Sequence, residues 1–165
     1  MALPAAAQAS PRPQVSGSFC ANVSAASVSA IVGHSVPAGT PSTDHLKATK
    51  ANDGISSVVR TCTFGSLSSL AGLAKVVFLA YEVASRPLTA ADLKKALSEA
   101  QKLKFKFTPY SGLGMPAFSY TFTEASITAE VIAAINGANI YEASVYTKAL
   151  PFSKLASLVR LAETI

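Results

Sequence analysis

The segment Leu73 to Val83 carries nonpolar residues on both alternating sets, Val77, Leu79 and Tyr81 on one side and Val76, Phe78 and Ala80 on the other. A strand that is apolar on both faces belongs in the middle of a covered sheet. Upstream, Ile55 to Phe64 (ISSVVRTCTF) reads as a second strand, with Gly65 to Gly72 as the hairpin loop between the two. The two-residue period returns near the C-terminus. Ala117 to Thr123 sets Phe118, Tyr120 and Phe122 on one face, and the runs Thr128 to Ile135 and Ile140 to Thr147 flank Asn136-Gly137, a dipeptide suited to a tight hairpin. Residues 104–108, KFKFT, alternate Lys with Phe, as sheet edges guarded against stray pairing do.

Helical spacing marks three other stretches. Ser24 is placed to cap a short helix whose stripe is Val28, Ile31 and Val32, and Gly33 supplies its stop. Thr89, with Asp92 in the first turn, caps a second helix in which Leu93, Leu97, Ala100 and Leu103 share a face. A closing helix, capped near Ser153, carries Leu155, Leu158, Val159 and Ala162. Residues 34–54 read as a long polar loop, and residues 1–18, with Pro4, Pro11 and Pro13, as a flexible leader before a single domain at 19–165. The expected fold is α+β: an antiparallel sheet of about five to six strands packed with about two to three helices.

Composition narrows the class. At 165 residues, half of them apolar and 14% charged, the chain suits one folded domain and excludes a disordered one. The window Leu70 to Ala84 is too short for a transmembrane span and contains Lys75 and Glu82. A net charge of +5 favours anionic neighbours. Lys94, Lys95, Lys102, Lys104 and Lys106 form a candidate contact with an anionic surface, beside the plainer account of a solvated helix face. The lack of Trp, of a dense Arg stripe and of zinc spacing argues against nucleic acid.

Two features bear on compartment. Ala7-Gln8-Ala9 before Ser10 has the small-x-small spacing of a signal-peptidase site and reads as the remnant of an export signal, the alternative being an Ala-rich tail. The only cysteines, Cys20 and Cys62, read as a disulfide tying the entry of the first helix to a strand; two buried thiols in a cytosolic protein are the alternative.

Candidate chemistry is sparse. His34 and His45 lie with Asp44 and Asp53 in the polar 34–54 segment, without metal-site spacing. No G-x-S-x-G occurs, Gly112-Leu113-Gly114 reads as a turn, and Glu82, Glu130 and Glu142 read as the polar outer faces of strands. The expectation is a non-enzymatic monomer without cofactor or metal. The leading binding candidate is Tyr110, Met115, Phe118, Tyr120 and Phe122, lining a groove for an apolar small molecule or cell-envelope component. The competing account makes the same aromatics the core face of a strand. A protein partner acting at the 34–54 loop or the lysine face is the alternative function. Asn22-Val23-Ser24 is also a glycosylation sequon, which has meaning only in a eukaryotic source.

Phe19-Cys20-Ala21-Asn22-Val23-Ser24, the helix ending at Val32-Gly33, Thr61-Cys62-Thr63-Phe64 and Gly112-Leu113-Gly114 together resemble an actinobacterial family of exported lipoproteins of unknown function. Over residues 19–164 the outline is also similar to the extracellular sensor domain of mycobacterial receptor kinases. The resemblance implies a helix-packed antiparallel sheet of the Mog1/PsbP-like group working outside the cytoplasm, with no catalytic residues to carry over. The family's lipid-anchor Cys is not among these residues, and Met115 stands where an acidic residue is common.

Overall fold

The structure, a computed structural model, describes residues 19–50, 52–66, 76–102, 106–124, 127–146 and 150–165. The leader at 1–18, most of the 65–72 loop, Leu103 and Lys104 lie outside the described residues, as do the side chains of Ala100, Lys102, Lys106 and Phe122.

A 3₁₀ turn, Phe19–Asn22, leads into α1, Ala25–Val32. The Ser24 hydroxyl accepts the Ser27 N–H at 3.0 Å, and Gly33 closes the helix at φ 85°, where a side chain would be strained. Three strands follow: β1, Thr40–Leu46; β2, Ser57–Phe64; and β3, Val76–Ala84. Helix α2 is Ala90–Lys102; Thr89 and Asp92 exchange hydrogen bonds at its start, the Asp92 carboxylate accepting the Thr89 N–H at 2.7 Å. Strands β4, Lys106–Pro109; β5, Ala117–Glu124; β6, Ile127–Asn136; and β7, Asn139–Tyr146, precede α3, Phe152–Glu163.

The strands form one seven-stranded sheet in the order β1-β2-β3-β7-β6-β5-β4, antiparallel throughout. From β3 the chain passes through α2 to the far edge, then returns strand by strand until β7 lies beside β3. The α+β class is as the sequence predicts. The strand count is higher, because residues 40–46 are β1 and not part of a loop. All seven of its residues are exposed, so TPSTDHL carries no apolar alternation to betray it; backbone pairing with β2 makes it a strand. The closing helix likewise begins at Phe152, ahead of the expected Ser153 cap. Pro151 holds the cap position at φ −54° without a side-chain hydrogen bond, its fixed backbone angle serving the helix entry.

Residues directly opposite each other in antiparallel strands share a face, so the register sorts every side chain. One face is closed. Cys62 and Phe64 of β2, Val77 and Leu79 of β3, Ile132 of β6 and Val145 of β7 are buried there with Val28 and Val32 of α1 and Leu155, Leu158 and Val159 of α3. Cys20 and Cys62 are joined in a disulfide, their α-carbons 5.0 Å apart. Gly39 crosses directly over that bond: a β-carbon there would meet Cys20 Sγ at 2.8 Å and Phe64 Cε1 at 2.9 Å, so only glycine fits without displacement.

Candidate functional site

The opposite face of the same sheet is built differently. Along β4, β5 and β6 it is filled. Phe107 packs against Phe118 and Tyr120, with ring centroids 5.4 Å and 4.7 Å away, and their cross-strand partners Val131 and Ala133 are buried. Along β2, β3 and β7 it is hollow. A cleft of about 310 Å³ is lined by Val59 and Thr61, by Phe78, Ala80 and Glu82, and by Ile140, Glu142, Ser144 and Tyr146.

Residue size explains the hollow. Ala80 stands directly opposite both Thr61 and Glu142, and Ser144 directly opposite Phe78, so short side chains make the floor at the centre of the sheet. Phe78 and Tyr146 meet edge to face at 5.3 Å and form one wall, while Val59, Ile140 and Glu82 form the other. The covered sheet expected around β3 is therefore covered on one side only: Val76 is fully buried, but Phe78 and Ala80 border the opening.

Glu142 dominates the electrostatics. It lies between Ala80 and Ala133, both too small to shield or to bind it. Withdrawal from water pushes its pKa up to about 7, and the like charge of Glu82 on the neighbouring strand adds to the rise. Burial, then the Glu142 and Tyr146 charges, likewise raise the Tyr120 phenol above its ordinary value. Among the described residues no Lys or Arg lines the cleft. In a chain of net charge +5, this hollow has the opposite sign.

The residues singled out from the sequence do not gather in one place. Tyr110 and Met115 pack against the helix-covered core, whereas Phe118 and Tyr120 belong to the opposite face. The sheet itself separates them, so the groove expected around residues 110–122 is not formed. Lys94 and Lys95 are exposed on α2, and Lys95 pairs with Asp53 of the β1–β2 connection. Glu82 and Glu142 lie on the uncovered outer face, as read from sequence, but there they line the cleft, and Glu142 is withdrawn from water. Glu130 turns to the helix side, opposite Thr121 and Val145, where one carboxylate oxygen is buried without a hydrogen-bond partner and the Leu150 N–H donates to the group. His45 is exposed on β1 and His34 follows α1; neither lines the cleft. Among the described residues no group of three or more His, Cys, Asp and Glu gathers as a metal site, and no helix is long and apolar enough to cross a membrane.

A signal for the cleft was present in the sequence. Glu82 is the only charged residue of β3, and Glu142 the only one of β7. A lone carboxylate inside an otherwise apolar strand marks a place where burial and charge conflict. No protein-family model matches the chain, and no curated protein matches it in sequence.

Proposed function

We propose that this chain is an extracytoplasmic, non-catalytic ligand-binding or sensing domain that holds an apolar small molecule or cell-envelope component in the open-face cleft. The observation that carries this reading is the hollow at the centre of the sheet, walled by Phe78, Tyr146, Val59 and Ile140 around the partly buried Glu142. Ligand sites are concave and combine apolar walls with placed polar groups, here Thr61, Ser144, Glu82 and Glu142. A desolvated carboxylate costs stability, and such groups concentrate where function uses them. The disulfide supports an oxidising compartment, as does the resemblance of the Cys20 and Cys62 segments to exported lipoproteins.

Native mass spectrometry of protein taken from the extracytoplasmic fraction of its own source tests the reading. The wild type is expected to carry a small-molecule adduct, and Ala80→Phe, which fills the floor, to lose it while melting at a similar temperature. An adduct retained undiminished in Ala80→Phe, or a protein found only in the cytoplasm, contradicts the proposal.

A further inference from the structure

The class of ligand follows from the sign of the cleft, and this inference rests on the binding role just proposed. We propose that the cleft takes an amphiphilic cation, a protonated amine carried on an apolar chain or ring, with Glu142 as its counter-ion and Phe78, Tyr146, Val59 and Ile140 around its apolar part.

The groups facing Glu142 can be taken strand by strand. On β3 they are Ala80, Phe78 and the carboxylate of Glu82; on β2, Val59 and Thr61; on β7, Ile140, Ser144 and Tyr146; on β6, Ala133; and on β5, the Tyr120 phenol. Glu82 is the one other carboxylate beside Glu142, and among the described residues no Lys or Arg lines the cleft. An anionic ligand would add a third negative charge to a site that already disfavours its second. A neutral ligand would displace water from Glu142 and supply at most a hydrogen bond without an opposite charge. An ammonium group supplies an opposite charge, which none of the described lining residues does, and forms a charge-assisted hydrogen bond in a place of low effective dielectric. The aromatic wall adds to the preference, since ring faces attract cations. A bare metal ion suits the lining less well, because Glu82 and Glu142 are its only two carboxylates and, among the described residues, no group of three or more His, Cys, Asp and Glu gathers there. A volume of about 310 Å³ lies at the small end of ligand pockets, which fits a short alkyl or aryl amine.

The acid-base behaviour gives the proposal a second readout. Glu142 carries its proton up to about pH 7, so the counter-ion is absent in acid and present in mild base. Affinity for an ammonium ligand rises with pH across that range and declines only where the amine itself loses its proton, at about pH 10.

Titration calorimetry and amide-shift mapping with n-octylammonium, octanol and octanoate, at about pH 8 and about pH 5.5, test the inference on the full chain. The ammonium is expected to bind about tenfold or more tighter than octanol at the higher pH, with the advantage shrinking at the lower. Glu142→Gln, which keeps the shape, is expected to abolish that advantage and leave octanol binding in place. If octanol or octanoate binds as tightly as the ammonium, or Glu142→Gln retains the preference, the cation assignment is overturned while the cleft remains a binding site. If none of the three probes perturbs Val59, Ala80 and Ile140, the binding role itself falls.

Discussion

The two faces of this sheet are made from the same strands, yet they do opposite things. On the helix side the alternate positions of β2, β3 and β7 carry the core: Phe64, Leu79 and Val145 are fully buried, α3 packs on β3 and β7, and a disulfide fixes the chain entry to β2. One residue along, the alternate positions of the same strands are Thr61, Ala80, Glu142 and Ser144, which leave a cavity and a charge near its floor. The covered face makes the structure stable, and that surplus tolerates a face that works against stability. A carboxylate held where its pKa reaches about 7 is a cost that close packing alone would have removed.

Breaking the covered face has the largest expected effect. The Cys20–Cys62 bond closes a loop over a sequence separation of 42 residues, for which chain entropy gives about 4 kcal/mol. Replacing both cysteines with serine is therefore expected to lower unfolding stability in denaturant by about that amount, while Glu142 keeps its raised pKa because the bond lies across the sheet from it. A matching loss of the Glu142 shift would show that the two faces are not separable.

The open face is expected to respond in the other direction. The Glu142 pKa is raised from 4.5 in the unfolded chain to about 7 when folded, so the unfolded state gives up its proton first as pH rises. Stability linked to this group is greatest below pH 4.5, falls through the window up to about 7 and stays low above it. Glu142→Gln is expected to stabilise the protein by up to about 3 kcal/mol at pH 8 and to have little effect at pH 4, as chemical denaturation at the two pH values would reveal.

The smallest effect belongs to the surface at the start of α2. Asp92 accepts hydrogen bonds from Arg86, at 2.7 Å and 2.8 Å, and from Thr89, and the guanidinium holds its carboxyl well below the ordinary range. Its contribution is present above the unfolded carboxyl pKa and is lost in strong acid. Asp92→Asn is expected to speed amide exchange in the first turn of α2 and to leave the global unfolding midpoint almost unchanged.

What the sequence made legible follows the same division. Alternation and helical spacing expose elements that bury a face, so β3, β6, β7, α1 and α3 could be placed from side chains alone, as could the disulfide. β1 could not, because an exposed edge strand is specified by its partner's backbone and shows no pattern of its own. The aromatic positions misled for a related reason. Tyr110 and Met115 lie near Phe118 and Tyr120 in sequence, but the turn at 111–116 sends them to opposite faces, and only the register shows this. The cleft itself is an absence, made by Ala80 and Ser144 being small beside larger neighbours across three strands. Pairing of β3 with β7, far apart in the chain, is what brings Glu82 and Glu142 together.

The most direct test is a carbon-13 titration of the Glu142 side-chain carboxyl in the folded, ligand-free protein. A midpoint near 7 is predicted, moving down when n-octylammonium is added. A midpoint in the ordinary glutamate range, at about 4.3 and indifferent to the amine, would mean that the carboxylate is simply solvated and that the open face holds no desolvated charge for a cation to compensate.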